Sequence, residues 1–560
     1  MAKLHEKILS RSQVEARIAN GAKIFILGNQ VIKADAWLPF HPGGETAILH
    51  MVGRDGTDEI RALHSEEAQQ RMQRFAIGKV ESPWINFTPP IQGGSFKPLD
   101  EQSGLDKEEK VVEESSSSNN SGALTPVFDT AQFSGKCNGD RRHSAATSIS
   151  SASSVSIISN LNVAPELMVG EEEICEDERD DRSEALPRDH QYPSLDLATQ
   201  NDVAEKYRIL NDQIYKQGLY NCSYTSYLIE VLRYSILLMA FILLLRSGHV
   251  YLSAVSLGLL WHQLVFTAHD AGHMGITHSF QIDTCIGIVI ADFIGGLSIG
   301  WWKRNHNVHH IVTNSPEHDP DIEHMPFFAI SPRFLLSLRS TYYDKIMAYD
   351  GFARRVLPLQ NWLYYPILTM GRFNLYRLSW AHLIFFPGPH KGPARWHRYF
   401  EILGQMFFWY WFGYLTVYRG IETNRDRVIL VLISHMLTAI LHVQITLSHF
   451  AMSTTDLGPH ESFAQRMLRT TMDVDCPPWL DFFHGGLQFQ AIHHLYPRIP
   501  RHNLRKCQKL VVAFCEDVGI PYARFSFIKG NCHVLGRLKE VADQARLLEQ
   551  CRQVMVKGKT

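Results

Sequence analysis

The sequence predicts a multidomain chain: a small α+β module at the N-terminus, a disordered linker, and an all-α membrane domain with four transmembrane helices and a cytosolic cap bearing histidine clusters. Three observations predict it. Residues 1–200 are polar, whereas long apolar runs crowd residues 225–450. Between 95 and 190 the chain is Ser-rich and then acidic, a composition that cannot bury a core. Three histidine clusters then flank the apolar segments: His269-Asp270-Ala271-Gly272-His273, His306-Asn307-Val308-His309-His310 and Gln490-Ala491-Ile492-His493-His494. The 560 residues exceed a single domain. Charge is balanced, 55 Lys+Arg against 57 Asp+Glu, which gives no field that favours nucleic acid as a partner. Nine Cys without a CxxC pair read as a chain facing a reducing compartment.

The first module is expected over residues 1–85. Ile24-Phe25-Ile26-Leu27 and Gln30-Val31-Ile32 flank Gly28-Asn29, a hairpin signal. Short helices are expected after Gly44 and Thr57. His41-Pro42-Gly43-Gly44 is a tight turn bearing a histidine, and its glycines allow close approach to a flat ligand. His64 follows in Leu63-His64-Ser65. Two neutral imidazoles on opposite sides of a haem saturate its iron, so such a site carries single electrons and leaves no position for O2. For an isolated turn, a surface loop with an exposed histidine is the better reading. Here the turn, the downstream His-Ser and the module length agree. Over about residues 5–80 the chain resembles the cytochrome b5 haem-binding family, whose signature is this His-Pro-Gly-Gly turn. The resemblance implies haem b with His41 and His64 as axial ligands.

The linker is expected over 95–190, and its length would let the module reach far without tight docking. Apolar residues at helical spacing over 201–220 suggest a helix along the membrane surface. The membrane domain is expected over 200–540. Segments 227–245, 250–266, 400–418 and 428–447 are near the ~20 residues needed to cross a bilayer. Residues 283–302 are also apolar. Were they to cross, the first two histidine clusters would face opposite sides, so they read as a re-entrant piece. The basic stretch 303–398 then lies on the cytosolic side, as the positive-inside rule expects. The opening Met-Ala-Lys-Leu-His-Glu-Lys has no apolar core, so membrane entry is expected to rely on the internal segments.

Within each cluster the nitrogens recur at i, i+3 or i+4, so each lines one side of a helix. A single buried histidine is more often a satisfied core residue. Three clusters at one membrane level are another matter, because ionisable groups there are costly and mark function. Imidazole suits iron, zinc or copper, and this many nitrogens exceed the needs of one ion. A zinc hydrolase needs about three ligands and an open position. A di-iron carboxylate site wants Glu-x-x-His pairs, which are missing. In boxes of the form HxxxH, HxxHH and [HQ]xxHH, about residues 225–510 resemble the membrane fatty-acyl desaturase and hydroxylase superfamily. The fused haem module and Gln490 in the third box make it most similar to the front-end desaturases, and among these to the fungal delta-8 sphingolipid type.

That resemblance implies two non-haem irons and O2 as co-substrate, with His269, His273, His306, His309, His310, Gln490, His493 and His494 as catalytic and metal-binding residues. A further ligand is expected near the last span; His449 is favoured over His442. His262, His278, His318, His324, His484 and His502 lie outside the box spacing. Asp270, Asp319 and Asp321 are candidates to orient imidazoles. Trp301-Trp302 reads first as an interfacial anchor. The implied activity is insertion of a double bond at position 8 of the long-chain base of ceramide. Electrons would come from NADH through a cytochrome b5 reductase and the fused haem. The alternatives are a delta-5 or delta-6 acyl desaturase, a lipid hydroxylase, a membrane-anchored electron carrier whose boxes hold no iron, and a zinc enzyme. The expected location is the endoplasmic reticulum membrane, multi-pass, with both termini cytosolic.

Overall fold

The protein is described by a computed structural model covering residues 7–80, 83–98, 185–386 and 388–557. Most of segment 95–190, where disorder is expected, lies outside these residues. The first module opens on α1 (Arg11–Ala19), held by a reciprocal cap: Ser10 Oγ accepts from Gln13 N–H and Gln13 Oε1 accepts from Ser10 N–H. The expected hairpin is present as β1 (Ile24–Leu27) and β2 (Gln30–Lys33), and β3 (Ala76–Lys79) completes an antiparallel sheet in the order β1-β2-β3. Helices α2 (Thr46–Leu49), α3 (Thr57–Leu63) and α4 (Glu66–Gln73) lie between β2 and β3.

Helix α5 (Leu197–Lys216) starts the second part. It departs from the expected position on the membrane surface. Its buried stripe of Val203, Tyr207, Leu210 and Ile214 packs into the cap with Met467, Ile492, Tyr496 and Phe514, and Tyr207 Oη donates to Leu495 O at 2.7 Å. The spacing announced an amphipathic helix; its apolar face found protein rather than lipid.

Helices α6 (Tyr224–Arg246) and α7 (Val250–Gly272) form a tight antiparallel hairpin. Leu228, Leu232, Ile236, Met239 and Leu243 of α6 are exposed, as a lipid-facing surface requires, whereas α7 is largely enclosed. Next comes α8 (Phe280–Ile288), which continues in wider π-helical turns over Val289–Ile294, and then α9 (Ile299–Val312). These two arms meet at 119°, the geometry of a re-entrant piece or broken span. Helices α10 (Gln360–Thr369), α11 (Gly371–Phe385) and α12 (His397–Phe408) follow. The expected span 400–418 is helical, α12 carried on by π-helical turns over Trp409–Arg419, but it is not among the helices long and apolar enough to cross, so its expected crossing is not reproduced. Helices α13 (Asn424–Met436) and α14 (Ala439–Phe450) form one broken span. By length and composition, three helices among the described residues can cross a membrane: α6, α7 and the α13–α14 unit. The bent pair makes a fourth if it counts as one span. The cap adds α15 (Phe463–Thr470), α16 (Gln490–Leu495), α17 (Arg501–Val518) and α18 (Phe527–Lys557).

The N-terminal module does not hang on a free tether. Ala47, Ile48 and Met51 share one apolar cluster with Val308, Ile311 and Val312 of α9. Arg208 of α5 grips Asp58 of α3 with two hydrogen bonds, of 2.6 and 3.1 Å. Asn86 Nδ2 donates to Pro459 O at 3.0 Å, and the His50 ring lies 5.3 Å from that of His318. An apolar side chain fully buried in such a seam contributes about 1.5–3 kcal/mol. The expectation of reach without tight docking is therefore corrected. Linker length says how far a module can travel, but complementary surfaces decide where it rests.

Candidate metal centre and haem cleft

In the module, the His41 and His64 rings face each other with centroids 5.8 Å apart. His41 Nδ1 bonds Gly44 O at 2.7 Å and His64 Nδ1 bonds Ile60 O at 3.2 Å, which leaves each Nε2 as the free ligating atom. Burial, with Lys303 nearby, lowers the pKa of His41; burial followed by the charge of His41 lowers that of His64 to about 3. Both rings are thus neutral, as iron ligation requires. The donor set fits a bis-histidine haem. The glycines of the turn are needed for a second reason. A Cβ on Gly43 would meet Asn307 Nδ2 at 2.5 Å, and one on Gly44, whose φ is +83°, would meet Arg304 Cγ at 3.0 Å. The haem-binding turn therefore lies directly on α9.

Helix α9 has two working faces. Arg304, Asn307, Val308 and Ile311 look toward the module, while His306, His309 and His310 point the other way, into the helical core. There the sequence-distant boxes converge. The ligating atoms of His269, His273, His306 and His493 lie within 4.8 Å of one another, and so do those of His309, His449 and His494. His310 sits between the groups, its ring 4.8 Å from that of His273 and 4.2 Å from that of His494. His449 thus belongs to the cluster. His442 does not: its Nδ1 bonds Leu368 O at 2.9 Å. Gln490 is buried at the first position of α16, and its side chain has no hydrogen-bond partner among the described residues.

The fit to metal can be judged from unsatisfied nitrogens. His273 Nε2, His310 Nδ1, His449 Nδ1, His493 Nε2 and His494 Nε2 are all buried without a hydrogen-bond partner. Each buried orphan costs about 1–3 kcal/mol, and a pair of cations would satisfy them together. The histidines set aside in the sequence are engaged elsewhere: His262 with Gln444, His278 with the carbonyls of Met274 and Tyr220, His318 with Thr341, His484 with Gln444, and His502 with the Ser223 N–H. His324 packs its ring on Phe328 and Phe450.

The orienting carboxylates differ from one another. Asp319 is fully buried and its Oδ2 bonds His309 Nδ1 at 2.8 Å; Asp321 Oδ2 lies 3.4 Å from His306 Nδ1. Asp270 does not take this role. It accepts from Arg501 Nη1 at 2.7 Å and Tyr227 Oη at 2.5 Å, and stands 3.9 Å from His269 Nδ1. Adjacency in sequence misleads here, because neighbouring side chains on a helix diverge.

Comparison with known proteins closes the question of family. The fatty acid desaturase family matches residues 247–526, and the cytochrome b5-like heme/steroid binding domain matches residues 10–81. The chain is 57% identical to the Delta 8-(E)-sphingolipid desaturase of Emericella nidulans over 98% of this chain and 96% of that protein. The Candida albicans Delta 8-(E)-sphingolipid desaturase is 45% identical, covering 97% of each chain. The Arabidopsis thaliana Delta(8)-fatty-acid desaturase 2 is 35% identical over 62% of this chain and 76% of its own. The chain belongs to the fatty acid desaturase family. It is a multi-pass membrane oxidoreductase with a fused haem module.

Two features of this desaturase escape sequence reading. Trp302 is not an interfacial anchor: its ring stacks on His306 at 4.5 Å and lies 5.4 Å from both His269 and His273. Its place four residues before His306, on one helix face, was the available signal. Asp321 also lies within ligating range of His306 and His309. The sequence names Asp321 only as a group to orient an imidazole; its place within reach of both rings depends on the fold of the loop.

Proposed function

We propose that this desaturase inserts a trans double bond at carbon 8 of the long-chain base of a sphingolipid such as ceramide, in the endoplasmic reticulum membrane with both termini cytosolic. The full-length fungal relatives, Delta 8-(E)-sphingolipid desaturases, support the position and stereochemistry. His269, His273, His306 and His493 would hold one iron and His309, His449 and His494 the other, with His310 between the two groups and Gln490 on the helix of His493 and His494. The observation that carries this reading is the pair of adjacent buried imidazole groups whose ring nitrogens lack partners. The bound irons with O2 would supply the oxidising power to break an unactivated C–H bond, which acid–base chemistry does not reach. An electron carrier alone has no use for that donor set.

The chain's own residues do the rest. Asp319 holds the His309 Nδ1 proton, which turns the opposite nitrogen inward. Trp302 closes one side of the histidine cluster with an apolar plane that excludes water. His41 and His64 hold haem b in the module, against the helix that carries His306, and an NADH-dependent cytochrome b5 reductase reduces it. Lipid analysis of a host expressing the full chain tests the proposal. The expected product is a long-chain base unsaturated at carbon 8. A double bond at carbon 5 or 6 of an acyl chain, or a hydroxylated product, would overturn it.

A further inference from the structure

A cavity of about 320 Å3 opens beside the metal centre. Its lining includes Gly272, the neighbour of His273, together with Glu401 of α12, Ile299, Gly300 and Phe280. The haem module contributes Pro39, Pro42 and the haem-site residue His41 to the lining. Phe386, also in its lining, is partly exposed and follows the exposed Ile384 and Phe385 at the end of α11, so the mouth lies beside a lipid-facing surface. An apolar cleft with a few fixed polar groups is the usual form of a site for an amphiphile.

Glu401 is one of several charged groups in the lining, beside Glu45, Asp283, Lys303, Arg304 and Arg398, and the Arg398 charge acts on it. It is 3% exposed, yet no cation pairs with it among the described residues. Its Oε2 accepts from Ser298 Oγ at 2.5 Å and from Gly300 N–H at 3.0 Å. Its Oε1 accepts from no donor among the described residues and lies 2.5 Å from where a Cβ on Gly300 would stand. Ser298 and Gly300 therefore hold one oxygen and leave the other for an incoming donor. Burying a carboxyl group without a full set of partners is costly, and a ligand N–H or O–H would complete it.

The spacing fits the polar end of a long-chain base. Gly300 and His306 are six residues apart on α9, a rise of roughly 9 Å. With carbon–carbon bonds of about 1.5 Å, a zigzag chain advances roughly 1.3 Å per bond, so the six bonds from the amide-bearing carbon 2 to carbon 8 span roughly 8 Å. We infer that Glu401 is the specificity-determining residue of this desaturase: its Oε1 accepts from the amide N–H or a hydroxyl of the long-chain base and so sets which carbon faces the metals. This rests on the functional reading above and names the group that measures the position.

The test uses the full-length enzyme in membranes, with iron content and the haem Soret band as controls for folding. Wild-type enzyme is given a ceramide and its analogue lacking the amide N–H and the 3-hydroxyl. The analogue should show KM raised about tenfold or more; equal KM for the two lipids would overturn the inference without recourse to any variant. Glu401→Gln should raise KM for ceramide about tenfold with the Soret band and iron unchanged. Glu401→Asp draws the carboxylate back by about one carbon–carbon bond, so part of the product should shift to carbon 9, a change that a merely structural residue would not produce. Variants with wild-type KM and product only at carbon 8 would overturn the role of Glu401 and leave the functional reading intact. Wild-type product on an acyl chain would overturn both.

Discussion

The haem cleft and the paired metal centre solve the same problem, holding iron with imidazole, by opposite means. In the cleft both ligands come from one small module, and each ring is oriented by a backbone carbonyl, Gly44 O for His41 and Ile60 O for His64. In the membrane domain the ligands come from α7, α9, α14 and α16, and the orienting groups are carboxylates, Asp319 and Asp321. A carbonyl fixes a ring without adding charge. A carboxylate also makes the imidazole a stronger donor to metal. On the proposed reading, the cleft would suit a carrier of single electrons and the paired imidazole groups would suit metal ions that react with O2.

The comparison is broken most completely by His310→Ala. His310 lies between the two imidazole groups, so product should fall below detection while the Soret band stays normal; retained turnover would undo the shared centre. His64→Ala is the converse. The Soret band should vanish and NADH-driven turnover with it, while the non-haem iron content persists. Asp319→Asn sharpens the contrast in orienting groups, and should cost about 10–100-fold in iron affinity or rate, read by iron content and product; wild-type values for both would count against it. Val308→Asp places a charge in the seam between module and α9. It should leave the haem spectrum intact and slow reoxidation of the haem during turnover by about tenfold or more, because an unpaired charge in an apolar seam is costly.

The smallest effect concerns pH. Glu59 of α3 is buried, and burial raises its pKa to about 7 against the pull of Arg54, with Asp58 and Arg466 also facing it. An acid whose pKa is higher in the folded state than in the unfolded chain stabilises the fold below the unfolded value, and that contribution is lost as pH rises through about 7. The haem module should therefore be less stable at pH 8 than at pH 5, and Glu59→Gln should remove up to about 3 kcal/mol of that difference. Soret-monitored melting at the two pH values checks it; parallel curves for both proteins would refute it.

Much of this was legible in the chain itself. The hairpin at Gly28-Asn29, the His-Pro-Gly-Gly turn and the histidine boxes depend on short-range spacing, and the structure realises them where the spacing put them. The re-entrant reading of 283–302 followed from requiring that His273 and His306 meet, and they do, with rings 5.1 Å apart. What could not be read depends on surfaces brought together from afar. The sequence offers Asp270, Asp319 and Asp321 alike as orienting groups; a loop that folds back brings Asp319 to His309, whereas Asp270 beside His269 is taken by Arg501 from α17. The docked module reflects complementarity between α2 and α9, for which no periodicity exists.

Helix α9 divides its circumference between two partners, and each residue added to a helix turns its remainder by about 100°. Inserting or deleting one amino acid between Ile299 and His306 would swing the imidazoles off the metals and the Val308–Ile311 stripe off the haem module in the same stroke. The length of this stretch cannot change without losing the imidazole cluster and the docking of the haem module at once.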